Sequence, residues 1–167
     1  LRSAVLPRAL RVVEQGLFFG TKSLKSINFG ENSQLEEIKA NAFEKSGLES
    51  FVAPASLKQI GECAFSRCYA LKRVDLSACT LQSDNEDNFL SSGVFTDSNL
   101  ESVIFPSTLK AIRKDQFSHH KHLKSVSFGA NSALEEIGSK AFYGCGLESF
   151  AAPPQLKKIG DLAFGCC

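Results

Sequence analysis

The sequence predicts a β-rich solenoid, a fold in which short coils of the chain stack on one another. Three observations indicate it. The 167 residues divide without remainder into seven segments of 21 to 29 residues that begin at equivalent leucines. Each segment opens with alternating apolar and polar residues, as in a strand with one buried face. Phenylalanine returns at one position in every segment. Leucines at this period are typical of a leucine-rich repeat solenoid.

The shared pattern is L-x-x-V-x-F-P-x-x-L-x-x-I-G-x-x-A-F-x-x-C. We expect one domain of seven coils, with units at residues 1–23, 24–47, 48–70, 71–99, 100–122, 123–146 and 147–167. Neither end shows a polar capping motif, and solenoids usually need such caps. The sequence therefore suggests a fragment of a longer array.

Each part of the pattern predicts an element. The L-x-x-V-x-F segments should stack as parallel strands on the concave face of the solenoid. Pro7 and Pro54 would then end strands, and Gly30 and Gly129 would supply turns with positive φ. The later Leu and Ile point inward again. The A-F-x-x-C segment should close the coil as a short helical or 3₁₀ turn.

Repeated positions predict the core and its register. Stacked aromatic rings bury much apolar area, so we expect a central column of Phe18, Phe43, Phe65, Phe95, Phe117, Phe142 and Phe164. The residue after the leading leucine alternates in charge from the second unit onward, which places opposite charges side by side. Residues 24–68 and 123–167 share 27 of 45 aligned positions, which indicates duplication of a block of 99 residues.

Units such as LESFVAPASLKQIGECAFSRCYA, with proline after the strand and AFxxC at the end, resemble the BspA-like leucine-rich repeats. The resemblance covers all seven units. It implies a surface antigen at the cell surface or outside the cell, which binds host matrix, host cells or other microbes. The chain lacks the asparagine that follows the strand in commoner leucine-rich repeats, so ligand positions from those classes do not carry over.

Composition and motifs narrow the function classes. A formal charge of +1 gives no argument for nucleic acid as a partner, and no apolar run suggests membrane insertion. The opening LRSAVLPRALRVV has no secretory signal pattern, and the segment shows no anchor. We find no phosphate loop, nucleophile elbow or zinc-protease motif. The sequence therefore predicts no enzyme and no cofactor.

The outward positions of the predicted strands are mostly small residues. A curved sheet that tolerates only small side chains explains them as well as a binding face does. Arg73 and Asp75 interrupt the serines and are the preferred contacts. The candidate ligand-binding residues on this face are Arg73, Asp75, Ser50, Ser102, Asn28 and Ile104.

Unit four carries an insertion, and loops that emerge from solenoids often determine specificity. Its acidic residues Asp84, Glu86 and Asp87 complete the candidate site. Their spacing is not that of an EF-hand, so a solvated loop is favoured over calcium binding.

The stretch SHHKH contains the metal candidates His119 and His122, while His120 falls at the cysteine position and should face inward. A metal site normally needs a further ligand from elsewhere. An ordinary polar turn is therefore favoured, and we predict no metal site.

Two functions remain open. The first is a non-enzymatic recognition or adhesion module for a protein, matrix macromolecule or glycan. The second is a structural spacer or self-associating array without a specific ligand. Uncovered end coils would favour end-to-end association in the second case.

Overall fold

The computed structural model describes residues 1–79, 90–91 and 93–167, which form a solenoid of parallel strands. Asp84, Glu86 and Asp87 lie outside these residues. In this part of the chain the strands are β1 (Ser3–Val5), β2 (Val12–Val13), β3 (Ser26–Asn28), β4 (Glu37–Ile38), β5 (Ser50–Val52), β6 (Gln59–Ile60), β7 (Arg73–Asp75), β8 (Ser102–Phe105), β9 (Ala111–Ile112), β10 (Ser125–Phe128), β11 (Glu136–Ile137) and β12 (Lys158–Ile159). Among the same residues, none lies in a helix with the length and hydropathy of a membrane span.

The opening segments of the units form the first face of the solenoid. Its strands are parallel and split into a pair, β1–β3, and a four-stranded sheet in the order β5–β7–β8–β10. Six strands stand where seven were expected, because the last unit adds none, so the solenoid makes about six turns. The corresponding stretch continues as AAPP. Alanine is a poor strand former, and Pro153 and Pro154 have no N–H to donate.

A second face, which the sequence did not predict as strands, lies at the Leu-x-x-Ile part of the repeat. It holds two three-stranded parallel sheets, β2–β4–β6 and β9–β11–β12. Leu90 adds an isolated parallel bridge to Ile60. Each strand has only two residues, too few for alternation of apolar and polar side chains to reveal it.

The AF segments are not helical or 3₁₀ turns, so that part of the prediction is wrong. A helix needs negative φ at every residue, whereas here φ is positive two residues before and two residues after the column phenylalanine. The φ angles are 57° at Asn41 and 59° at Lys45, on either side of Phe43. Alternate N–H groups instead bond to the next unit, as Phe43 N does to Ala64 O at 2.8 Å. We call these inter-unit bonds the turn ladder.

The two glycines expected to have positive φ differ. Gly30 has φ +75°, as predicted. Gly129 is not in the left-handed region, so the prediction for it is wrong. A Cβ at Gly129 would lie 3.0 Å from the Ser107 Cβ. A close approach between units therefore accounts for this glycine.

The predicted aromatic column is confirmed. Successive rings are nearly parallel, with centroids 5.1 Å apart for Phe18–Phe43 and for Phe43–Phe65. The spacing widens to 6.1 Å at Phe95–Phe117 and returns to 5.5 Å at the last pair. Leucines at the start of each unit and the inward Ile residues pack around the column.

The predicted alternation of charge is also confirmed. Lys72 Nζ lies 2.6 Å from Glu101 Oε1, and Lys25 and Lys124 pair in the same way with Glu49 and Glu148. On the second face, Lys157 lies 3.1 Å from Glu135. The pairs are exposed, so each contributes little to stability and acts mainly on register.

Candidate functional site

The first face brings five of the predicted ligand-binding residues into one patch. Across β5, β7 and β8, Ser50 pairs with Arg73 and Arg73 with Ser102. In the next row Asp75 pairs with Ile104, and Val52 lies on its other side. We call these residues the strand patch: Ser50, Val52, Arg73, Asp75, Ser102 and Ile104.

The strand patch combines exposed apolar groups with two charges. Val52 is 65% exposed and Ile104 is 38% exposed, although both lie on strands. Arg73 is exposed and makes no ion pair with any described residue. Asp75 is half-buried, and its Oδ1 accepts hydrogen bonds from Ser77 N at 2.9 Å and Ser77 Oγ at 2.6 Å. Asp75 therefore shapes the turn after β7, and Arg73 is the freer contact.

Not all predicted residues join the patch. Asn28 lies on β3 in the other sheet of the first face, where it pairs with Val5. Its Oδ1 accepts a hydrogen bond from Gly30 N at 2.7 Å, which closes a local turn. The structure thus gives Asn28 a turn-forming role apart from Arg73.

The histidines occupy three different environments. His120 is buried, as predicted, with Nε2 2.9 Å from Phe95 O and Nδ1 3.0 Å from Phe117 O. His119 is exposed, and its ring meets the edge of Tyr143 at 5.5 Å. His122 is exposed. The described residues contain no cluster of three or more His, Cys, Asp or Glu side chains placed to hold a metal ion.

His120 belongs to a column of donors that reach back to the preceding unit. Cys68 Sγ, Cys145 Sγ and Cys167 Sγ donate to the carbonyl oxygens of Phe43, Phe117 and Phe142 at 3.0, 3.0 and 3.1 Å. Burial raises the pKa of the Cys145 thiol to about 12 and also raises the pKa of Cys68. All six cysteines are free thiols. The column therefore stabilises the stack, and its buried thiols Cys68 and Cys145 should react slowly.

A polar cleft, which the sequence reasoning missed, opens between units four and five. The turn-ladder bonds from Phe95 N to Gln116 O and from Asp97 N to Ser118 O are missing, although all four residues are described. The cleft has a volume of about 320 Å³, and Asp97, Ser98, Asp115 and His119 are among its lining residues. The first face stays closed there through the pairing of β7 with β8.

One sequence signal marks this cleft. Unit five has Gln116 at a position that is alanine in units two, three, six and seven and apolar in units one and four. The Gln116 side chain accepts a hydrogen bond from Arg113 N at 2.9 Å and donates to Leu90 O at 3.2 Å. The Gln116 side chain thus hydrogen-bonds to backbone groups of both units, at the junction where two turn-ladder bonds are missing.

Comparison with protein families gives one match. The family described as BspA type leucine rich repeat region matches residues 1–92 and 88–167, in six copies. The two matched stretches together span the chain. No curated protein matches the sequence significantly.

Solved structures with the same fold come from bacteria. A leucine-rich repeat protein from Bacteroides ovatus is 22% identical with a TM-score of 0.75, and the match covers 100% of this chain and 47% of that one. A leucine-rich repeat protein from T. pallidum is 30% identical with a TM-score of 0.70, over 87% of this chain and 64% of that one. The chain thus corresponds to between about half and two thirds of those structures.

Proposed function

Because the chain belongs to the BspA-type leucine-rich repeat family, we propose that it is a non-enzymatic recognition or adhesion module that acts at the cell surface. Its partner in this proposal is a host or microbial macromolecule, either a protein or a component of the matrix. Stacked repeats give an extended face suited to large ligands rather than an enclosed pocket for a small one.

The strand patch is the observation on which this proposal rests. An exposed arginine with apolar neighbours is a favourable centre for a protein interface, because arginine combines bidentate hydrogen bonding with a flat surface for stacking. Arg73 stands between two serines in register, so a partner can approach it without steric obstruction. Val52 and Ile104 supply apolar area beside it.

The test replaces Arg73 with serine, the residue found on both neighbouring strands, so the fold should tolerate the change. Arg8→Ser removes the same charge from an exposed residue outside the patch and serves as the control. Binding to purified extracellular matrix proteins and to whole host and bacterial cells is measured for both variants. Loss of binding of about tenfold or more only in Arg73→Ser supports the patch. Equal binding by both variants and the wild type argues against it.

A specific observation favours a second candidate function, a spacer or self-associating array. Large apolar side chains are exposed on both terminal units: Leu17 and Phe19 at one end, and Ile159 and Leu162 at the other. Such groups favour contact between copies when they form a common surface. In this function the repeats would stack end to end and bind no specific ligand.

A further inference from the structure

A basic pocket lies on another edge of the solenoid, where the AF turns of the first three units lead into the following strands. It has a volume of about 500 Å³ and is lined by four cationic side chains and one aromatic ring: Lys22, Lys25, Lys45, Arg67 and Tyr69. Gly47 lies at its base, where a Cβ would come 1.9 Å from Lys22 O, so the backbones of two units meet there.

The charged side chains that line the basic pocket are all cationic. No carboxylate is among its lining residues. Around it, Lys25 lies 3.2 Å from Glu49, and Lys45 and Arg67 lie 3.4 and 3.7 Å from Glu44. Arg67 also lies 3.6 Å from Asp97. Lys45 Nζ also lies 4.9 Å from the centre of the Phe19 ring. The side chains of Lys25, Lys45 and Arg67 are nevertheless 51%, 38% and 47% exposed, and Lys22 makes no ion pair with a described residue, so a ligand can reach the cations.

Two of the cations stand on the tight turns that follow the column phenylalanines. Lys45 and Arg67 occupy the left-handed region, with φ of 59° and 57°. This region is unfavourable for residues that carry a Cβ. The equivalent position is Gly20 and Gly144 in units one and six, and Asp97, His119 and Cys166 in units four, five and seven, all with positive φ. The turn therefore has the same conformation in every unit, and replacement of Lys45 and Arg67 by glycine should preserve it.

The aromatic ring defines the class of ligand. Tyr69 is 61% exposed and lies beside the cations. Sugar rings present C–H faces that pack on aromatic rings, and the guanidinium group of arginine binds sulfate and carboxylate groups through two parallel hydrogen bonds. We propose that the basic pocket binds an anionic glycan, with a sugar ring against Tyr69 and its sulfate or carboxylate groups on Lys22, Lys45 and Arg67.

Size and charge favour a glycan over other anions. A volume of about 500 Å³ is far larger than a single sulfate or phosphate needs. A nucleic acid would require a field that extends along its backbone, whereas the whole chain has a formal charge of only +1. This binding is independent of the strand patch, so the two proposals can fail separately.

The duplicated block provides an internal control. Residues 99 positions further along keep two of the cations, as Lys121 and Lys124, but have Gly144 and Cys166 in place of Lys45 and Arg67. The double variant Lys45→Gly, Arg67→Gly removes two charges and introduces the residue that other units already have. The double variant Lys121→Ala, Lys124→Ala removes the same charge from the second copy.

The experiment measures binding of a sulfated heparin octasaccharide by calorimetry at physiological salt, with the desulfated octasaccharide, inorganic sulfate and a single-stranded oligonucleotide as comparison probes. We expect the sulfated octasaccharide to bind. Desulfation of the ligand should weaken binding about tenfold or more, and so should the double variant Lys45→Gly, Arg67→Gly. The double variant Lys121→Ala, Lys124→Ala should change the affinity less than about twofold. Tyr69→Ala should weaken octasaccharide binding, and Arg73→Ser should leave it unchanged.

Several results would overturn the proposal. One is that the octasaccharide does not bind at all, and another is that the two double variants lose affinity for it equally. A third is that the protein binds the oligonucleotide as tightly as the octasaccharide. Equal affinity for inorganic sulfate and for the octasaccharide would indicate a simple anion site. A denaturant midpoint for each variant verifies that loss of binding does not come from unfolding.

Discussion

At the residue scale, the side chain three residues after a column phenylalanine is polar because it hydrogen-bonds to a backbone carbonyl inside the stack, as in Cys68, His120 and Cys145. This position is Cys, Ser, Thr or His in the different units, and the sequence predicted that His120 faces inward there. It could not predict the acceptor, because the Phe43 carbonyl that Cys68 reaches is 25 residues away and comes close only through stacking. A thiol is well suited to this bond because its C–S bond is longer than the C–O bond of serine.

Ser98 is the exception in this column and gives a stability prediction. Its hydroxyl is buried and has no hydrogen-bond partner among the described residues. Ser98→Cys should place a donor within reach of the Phe65 carbonyl and raise the free energy of unfolding by about 1 kcal/mol. Urea denaturation with an unchanged slope would measure the gain.

The control for Ser98→Cys is the reverse exchange, Cys68→Ser. It shortens a donor that is already bonded, so stability should fall by a similar amount. A different result would contradict this explanation: Ser98→Cys is neutral or destabilising although Cys68→Ser destabilises. The shorter C–O bond of serine would then not be the reason why the Ser98 hydroxyl is unpaired.

The buried thiols predict a second residue-scale result. Burial, aided by the charge of Asp75, raises the pKa of Cys79 to about 12, whereas Cys166 is exposed. Only the thiolate reacts with disulfide reagents. At pH 8 we expect Cys166 to be labelled first and Cys79 and Cys145 only after unfolding, as measured by mass spectrometry of labelled peptides.

The raised pKa values of Cys79 and Cys145 also predict how the free energy of unfolding depends on pH. The folded chain keeps the protons of Cys79 and Cys145 up to a pKa of about 12, while an ordinary thiol loses its proton near 9.0. The unfolded state therefore binds fewer protons above about pH 9, and the free energy of unfolding should fall as the pH rises from there towards 12. Rapid labelling of Cys145 in the folded protein would contradict both expectations.

At the scale of the element, the strands were predictable and the turns were not. Alternation over L-x-x-V-x-F identifies β5 or β10 because one face of each strand packs on the column. The AF turns depend on left-handed residues, which include Lys45, Arg67 and Leu162. None of these residue types marks a positive φ, so local preference pointed to helical turns, while the inter-unit bonds of the turn ladder determine the conformation.

The glycine of the I-G pair tests how closely neighbouring units approach. A Cβ at Gly61 would lie 2.6 Å from Ala40 N and 2.8 Å from the Lys39 carbonyl carbon. Gly61→Ala should therefore destabilise by about 2–4 kcal/mol, since backbone must move to relieve the contact. Gly30→Ala is the matched control: its φ is +75° and nothing lies within 4 Å of the added Cβ. Its cost should stay near 1 kcal/mol.

Thermal and urea denaturation of the two glycine variants give this comparison. A smaller loss in Gly61→Ala than in Gly30→Ala would show that the stacked units separate easily at this point. The result would then place the rigidity of the solenoid in the aromatic column and not in backbone contact.

At the scale of the whole molecule, the sequence predicted stacking and the centre of the strand patch but not the pockets. The strand patch follows from register, which the repeat itself specifies: Arg73 and Ser102 occupy the same position in successive units. The basic pocket depends on Lys22, Lys45 and Arg67, which come from three units and meet only after the coils stack. The polar cleft could not be predicted, because it opens where turn-ladder bonds are missing and the sequence does not show which of these bonds form.

The first and last units of the 167-residue chain give the last prediction, which concerns this chain by itself. Leu17 and Phe19 are 54% and 50% exposed on the first unit, and Ile159 and Leu162 are 52% and 59% exposed on the last. Two different surfaces meeting end to end form a heterologous contact, which builds an open filament unless the rotation between copies closes a ring. We expect the filament, so association should continue with concentration. Light scattering should show an apparent mass that rises steadily, and Leu17→Glu, Phe19→Glu should abolish the rise by disabling one end. Val52→Glu, Ile104→Glu, which places the same two charges on exposed apolar residues away from the ends, should leave it intact. A constant monomer mass at all concentrations, or an equal effect of this control variant, would exclude end-to-end association and leave the first face as the principal interaction surface.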